Sequence, residues 1–150
     1  MARSRWVLLA YRLPREPSTP RIAVWRRLRR LGALQLVDGL VALPADARTR
    51  EALEWLAEEV EQAGGDATVW LASPAASTDE CALETRMAEA AAADYRAVVE
   101  ASKAAAARAP AARRRAAARL RRTLQQVRAR DFFPPPERVA AESAVEELAS

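Results

Sequence analysis

Two sets of arginine residues carry the clearest chemical signal in this sequence. The first set lies in and just before a predicted helix: Arg12, Arg15, Arg21, Arg26, Arg27, Arg29 and Arg30. The second set lies later in the chain: Arg113, Arg114, Arg115, Arg119, Arg121 and Arg122. A guanidinium group binds phosphates and tetrahedral oxyanions through two parallel hydrogen bonds. We therefore predict that both sets are nucleic-acid- or anion-binding sites.

Each arginine set has an alternative interpretation. The first is equally consistent with a solvated helix surface, or with ion pairs to the acidic residues Glu51, Glu54, Glu58, Glu59 and Glu61. The positive charges of the second set repel one another unless an anionic partner neutralises them. That partner is either the acidic segment around residues 80–100, another subunit or nucleic acid. The sequence leaves these alternatives open.

The charge pattern divides the chain into four blocks. Residues 1–44 have a net charge of +7, residues 45–100 of −9, residues 101–130 of +10 and residues 131–150 of −4. Alternating blocks either pair with one another, within the fold or across a dimer, or present a basic surface to a polyanion.

Residue types that support catalysis are scarce. The sequence has no His and one Cys, which removes the commonest general base and any cysteine-based zinc site. Gly64-Gly65 lacks the flanking pattern of a phosphate-binding loop. We predict no catalytic residue, no metal, no cofactor and no enzymatic activity. Cys81 lies near a predicted helix start, where a thiolate is somewhat favoured, but a structural or incidental role is expected.

No apolar run reaches the roughly 18–20 residues that span a bilayer. The apolar stretch near the N-terminus is too short and interrupted for a signal peptide. We expect a cytoplasmic protein without a membrane partner.

The pattern of apolar residues predicts the strands and helices on which the arginines lie. Residues 6–13 form an apolar and aromatic segment that predicts a buried strand. Thr19 offers an N-cap for a helix that ends at Gly32. Strands are predicted at 34–37 and 40–43 around the turn Asp38-Gly39, then a helix over 46–63 and a strand over 67–72. This β-α-β-β-α-β order is that of a ferredoxin-like domain, with both helices on one face of an antiparallel sheet.

The remaining sequence predicts helices. Ser77 and Glu80 have capping-box spacing before a long Ala-rich helix, and Pro110 precedes a second helix over 111–130. We expect these two helices to form an antiparallel hairpin, followed by a short helix over 137–148. The predicted fold is α+β: a ferredoxin-like domain over 1–75, then a helical extension over 76–150 packed on it.

Aromatic residues on the predicted elements have two interpretations. Trp25, Trp55 and Trp70 are predicted to be core residues, with stacking platforms for bases as the alternative. Phe132 and Phe133, before three prolines, are expected to anchor a chain reversal on the core.

Three segments carry a resemblance to a known family. They are WVLLAYRLPREPSTPRIAVWRRLRRLGALQLVDGLVALP, RTREALEWLAEEVEQAGGDATVWLA and RLRRTLQQVRARDFFPPPERVAAESAVEELA. These strings resemble the N-terminal domain of ChrB, the chromate-resistance regulatory protein, over roughly residues 5–72 and 119–149. The ordered run LPREPS-x-PR-x-x-x-WR-x-L-x-x-x-GA makes the resemblance specific, whereas residues 78–118 match less clearly.

The resemblance implies a bacterial transcription regulator that responds to chromate. The ChrB N-terminal domain is also similar to the central ferredoxin-like module of PaaX-type repressors, and through it to small CRISPR-associated nucleases. Those nucleases bind metal through an acidic residue at the end of the first strand, where this sequence has Tyr11-Arg12-Leu13. A second ChrB domain, implicated in the chromate response, would begin where this sequence ends.

Two functions of different classes are therefore expected. One is a regulatory module that contacts DNA phosphates through arginine. The other is a non-enzymatic interaction module whose basic and acidic blocks pair across a homodimer, or with a separate protein that carries the second ChrB-type domain.

Overall fold

A computed structural model describes residues 5–150 of the chain. The chain divides into two compact units between Leu83 and Glu84, within a long helix. We call residues 5–83 the sheet unit and residues 84–150 the helical unit. The predicted boundary between two domains at residue 75 stays a prediction.

The sheet unit contains four strands and two complete helices in the predicted order. They are β1 (Trp6–Arg12), α1 (Thr19–Leu31), β2 (Leu34–Val37), β3 (Leu40–Pro44), α2 (Ala47–Gln62) and β4 (Asp66–Ala72). The helix α3 (Ser77–Ala105) begins in this unit. Each element lies within about two residues of its predicted bounds.

The four strands form one antiparallel sheet in the order β2-β3-β1-β4. The central strand β1 pairs with both β3 and β4, so that Val7 lies between Leu43 and Leu71. Helix α2 packs against β1 and β4. Val7 and Leu43 of the sheet and Leu53 and Leu56 of α2 are completely buried. The core of this unit therefore lies under α2.

Local signals fix the start of α2 and the end of α1. The Asp46 carboxylate accepts from the Thr49 backbone N–H at 2.7 Å, and the Asp46 N–H donates to the Thr49 hydroxyl at 3.0 Å, which is a capping box. Helix α1 ends at Gly32, whose φ of 81° is left-handed. The prediction that Thr19 caps α1 is wrong. Ser18 occupies that position and makes no side-chain cap, and Pro20 in the first turn favours the helix start.

The start of α3 is tied to β1. The Trp6 Nε1–H donates to Glu80 Oε1 at 3.1 Å, and the Arg5 guanidinium lies 3.1 Å from the same oxygen. The Arg5 backbone N–H donates to Ser73 Oγ at 2.9 Å. These contacts satisfy the indole N–H of Trp6, whose side chain is 2% exposed.

The helical unit contains the rest of α3, α4 (Pro110–Ala129) and α5 (Glu137–Ala149). Tyr95 of α3 packs with Leu124 of α4 and Val145 of α5, while Ala105 packs with Ala116 and Leu148. The contacts therefore run in opposite directions along α3 and α4, which is the predicted antiparallel hairpin. Helix α5 completes a bundle of three helices. Phe132 and Phe133, between α4 and α5, are half-buried.

The prediction that three tryptophans are core residues is wrong. Trp25, Trp55 and Trp70 are 51%, 58% and 56% exposed. The buried stripe of α1 is narrow and consists of Val24 and Leu28. Trp25 lies about 100° around the helix from Val24, which places it outside that stripe.

Candidate nucleic-acid interface on helix α1

Helix α1 presents most of its arginines to solvent. Arg21, Arg26, Arg29 and Arg30 are exposed, and the last three lie on the sides of the helix away from Val24. Arg15, in the loop before the helix, is also exposed. Exposed guanidinium groups along one helix can follow the phosphates of a nucleic-acid backbone.

Arg27 differs from its neighbours on α1. Its guanidinium forms an ion pair with Glu59 of α2, and both side chains are about 40% exposed. This pair joins the two helices across their contact. The alternative that acidic residues of α2 neutralise the first arginine set is thus true of Arg27.

Five other members of the first set have no such partner. Within residues 5–150, no ion pair with a carboxylate is formed by Arg15, Arg21, Arg26, Arg29 or Arg30. Arg12 lies 3.5 Å from Asp66, but the two side chains are 86% and 85% exposed. An ion pair so exposed to solvent stabilises little and leaves Arg12 available.

A groove of about 620 Å³ lies beside the first turns of α1. Its apolar surface comes from Tyr11, Ile22 and Trp25, and its polar groups include those of Arg12 and Arg21. The structure therefore brings the end of β1, the start of α1 and the β2–β3 turn to one place. Two arginines of the first set lie at this groove.

The hydroxyl of Tyr11 faces charged groups of both signs. Burial raises the pKa of Tyr11 above its ordinary value of 10.0, Arg21 lowers it by a smaller amount, and Asp38 raises it further. Tyr11 therefore remains a neutral hydrogen-bond donor at physiological pH. Asp38 is held by Gln35, whose Nε2–H donates to its Oδ1 at 3.2 Å.

Trp25 is interleaved with arginine on the helix surface. The guanidinium carbon of Arg29 lies 5.0 Å from the centre of the Trp25 ring, within the range of a cation–π contact. Ile22, 46% exposed, lies nearby at the groove. Arginine for phosphates together with an exposed aromatic ring for bases is the combination used by many single-strand-binding surfaces.

The second arginine set belongs to α4, in the helical unit. Arg113 is half-buried, and the other members are exposed: Arg114, Arg115, Arg119, Arg121 and Arg122. In the part of the chain that the structure describes, none of the six forms an ion pair. By contrast, Arg128 pairs with Glu142 at 3.4 Å and Arg130 with Asp94 at 3.1 Å. The acidic residues of α3 thus neutralise Arg130 but none of the six arginines of the second set.

Sequence reasoning missed the groove itself. The sequence does not single out Tyr11 or Ile22, and it predicts a core position for Trp25. One signal was available, because Arg21 and Arg29 lie four residues before and after Trp25. A residue between two arginines on the same helix face is poorly placed for burial.

Three further features concern metal-ligating groups, membrane-spanning helices and the cysteine. Among residues 5–150, no group of three metal-ligating carboxylate, thiol or imidazole side chains comes together. No helix in the same range is long and apolar enough to cross a membrane. Cys81 is exposed and is not part of a disulfide.

The described residues define a mixed α+β protein with a four-stranded antiparallel sheet, five helices and an arginine-rich helix surface. The family model described as Protein ChrB, N-terminal, matches residues 21–108, which is more than half of the chain. The chain belongs to this family.

A curated protein is also similar to part of this chain. Protein ChrB of Cupriavidus metallidurans is 38% identical over 81 residues, which are 54% of this chain and 24% of that protein. The match thus spans about a quarter of the relative's length. No solved structure matches the chain.

Proposed function

We propose that this chain is a transcription-regulatory module of ChrB type that contacts DNA phosphates through its arginine-rich helices. The observation that carries the proposal is the surface of α1, where Arg21, Arg26 and Arg30 are exposed and free of carboxylate partners beside the exposed ring of Trp25. Contacts of this kind fix a protein on the backbone but carry little sequence information. Binding is therefore strong at low salt and weakly specific.

The proposal includes a biological setting and a fold. The resemblance to chromate-resistance regulators supports a role in chromate or oxyanion stress in the bacterial cytoplasm. A ferredoxin-like sheet unit is supported by the β-α-β-β-α-β order and by the strand order, which is β4-β1-β3-β2 from the opposite edge. A non-enzymatic role is supported by Tyr11 and Arg12 at the end of β1, where related nucleases have a carboxylate.

The experiment that tests DNA contact compares two variants of equal charge. The first replaces three exposed arginines of α1, Arg26→Ala, Arg29→Ala and Arg30→Ala. The control replaces three exposed arginines outside α1 and α4, Arg50→Ala, Arg96→Ala and Arg108→Ala. Fluorescence anisotropy measures the affinity of each for a labelled duplex across a salt series.

The α1 variant is expected to lose affinity and to flatten the slope of log K against log salt by about 2.7, because each lost phosphate contact removes about 0.9. The control loses the same net charge and keeps most of the slope. An α1 variant that binds like the control would remove α1 from the DNA contact.

A second candidate function is favoured by a different observation. The six arginines of α4 have no ion pair in the described chain, and residues 101–130 contain no acidic residue. A dense cationic surface is stabilised by an anionic partner. Besides DNA, that partner is an acidic protein surface, on a second copy of this chain or on a separate protein with the second ChrB-type domain.

A further inference from the structure

A second groove, of about 940 Å³, lies along the exposed side of α2. Trp55 and Leu71 line it and are 58% and 48% exposed. Two large apolar side chains next to each other on the surface are costly in water and mark a contact site. The groove lies wholly in the sheet unit and is separate from the groove at Tyr11.

Carboxylates surround these two apolar side chains. Glu51, Glu54 and Glu58 lie on the same side of α2 as Trp55 and line the groove. Arg50 pairs with Glu54 at 2.9 Å, but the side chains are 56% and 51% exposed and the pair is weak. Within residues 5–150, Glu51 and Glu58 have no ion pair. The groove therefore combines negative charge with apolar surface.

The chain carries a surface of complementary charge and spacing. Arg115, Arg119 and Arg122 lie on one face of α4, are exposed and lack ion pairs in the described chain. From Arg115 to Arg122 and from Glu51 to Glu58 the helix advances seven residues, about 10.5 Å in each case. Three guanidinium groups can thus face three carboxylates, and one of them can cover the Trp55 ring.

We infer that the groove on α2 binds the arginine face of α4 from a second copy of this chain. A second copy supplies the matching carboxylates on Glu51, Glu54 and Glu58, whereas no ion pair within the described chain uses these arginines. Reciprocal binding, α4 of each copy in the groove of the other, gives a closed dimer. The inference rests on the second candidate function, association through opposite charge, and is independent of DNA contact.

Charge reversal tests this pairing. One variant carries Glu51→Arg, Glu54→Arg and Glu58→Arg, and a second carries Arg115→Glu, Arg119→Glu and Arg122→Glu. The control reverses three exposed acids elsewhere, Glu61→Arg, Glu89→Arg and Glu147→Arg. Sedimentation velocity of the nucleic-acid-free full chain at low and high salt measures association, and circular dichroism checks that each variant folds.

The wild type and the control are expected to associate at low salt and to dissociate at high salt, since screening weakens exposed charge pairs. Each charge-reversal variant alone is expected to be monomeric, because like charges then face each other. Their equimolar mixture associates again, because every reversed groove meets a reversed helix. Trp55→Ala weakens wild-type association by roughly tenfold or more, as loss of a central interface tryptophan does.

Three results would contradict the groove pairing. A wild type that is monomeric at low salt and high concentration would overturn the groove pairing, and would leave a separate protein as the acidic partner in the second candidate function. Association that persists in each charge-reversal variant would overturn the groove pairing alone. A mixture of two folded variants that stays monomeric would also overturn it.

Discussion

Arg26 and Arg27 are adjacent on α1 and have different roles because their neighbours differ. Arg27 faces α2 and pairs with Glu59. Arg26 is exposed and has no carboxylate partner among the described residues. The sequence predicted an arginine surface but not which arginine α2 neutralises, because that depends on how two helices cross.

Among residues 5–150, Tyr95 has the largest completely buried side chain. Its hydroxyl donates to Asp131 Oδ2 at 2.8 Å, which ties α3 to the turn between α4 and α5. Burial raises the pKa of Tyr95 far above its ordinary value of 10.0, and the hydrogen bond and negative charge of Asp131 raise it further. The fold therefore strongly favours the neutral phenol.

This shift predicts a pH dependence of stability. Since the pKa is raised in the fold, the contribution of Tyr95 is complete below pH 10 and is lost progressively as the pH rises above that value. In Tyr11→Phe, where Tyr95 is the remaining tyrosine, tyrosinate absorbance is expected to appear together with unfolding. Half-ionisation near pH 10 in a chain that circular dichroism reports as folded would contradict the assignment.

At the scale of elements, the β2–β3 turn positions the groove at Tyr11. The Tyr11 backbone N–H donates to the Gly39 carbonyl at 2.8 Å, which joins the end of β1 to this turn. Gly39 has a φ of 76°, and a Cβ there would lie 2.5 Å from the Tyr11 carbonyl oxygen. The turn thus requires glycine both for its conformation and for its close approach to β1.

Two glycine substitutions separate these requirements. Gly64 has a φ of 90°, but a Cβ there would meet only Pro14 Cγ at 3.8 Å. Gly64→Ala is expected to lower the free energy of unfolding by about 1–2 kcal/mol, the cost of left-handed backbone. Gly39→Ala adds a steric clash and is expected to cost more. Urea denaturation measures both, and equal losses would contradict the close approach of β1 to the turn.

Hydrophobic patterning predicted the elements well because each one has a clear local signal. Asp46 and Gly32 mark helix ends, and Asp38-Gly39 marks a hairpin. Burial of Trp25 and Trp55 was predicted wrongly, because residue type suggests a core position but the width of a helix's buried face depends on what packs on it. The groove at Tyr11 could not be predicted, since it depends on how the end of β1, the start of α1 and the β2–β3 turn come together in space.

At the scale of the whole molecule, charge is distributed by unit and by helix. The exposed arginines of α1 and the acidic groove of α2 both belong to the sheet unit, while α4 and its six arginines belong to the helical unit. The family match over residues 21–108 includes α1, α2 and α3 and ends before α4. The DNA proposal therefore depends first on α1, which lies within the matched region.

Contact with DNA phosphates is tested by the binding of the wild-type chain to its own upstream DNA and to a scrambled duplex across a salt series. We expect binding to both duplexes at low salt, with affinity that falls steeply as salt rises. A preference for the upstream DNA of about tenfold, roughly 1.4 kcal/mol, would add sequence readout to phosphate contact. No binding to either duplex at low salt would contradict contact with DNA phosphates and would favour protein partners for the arginines.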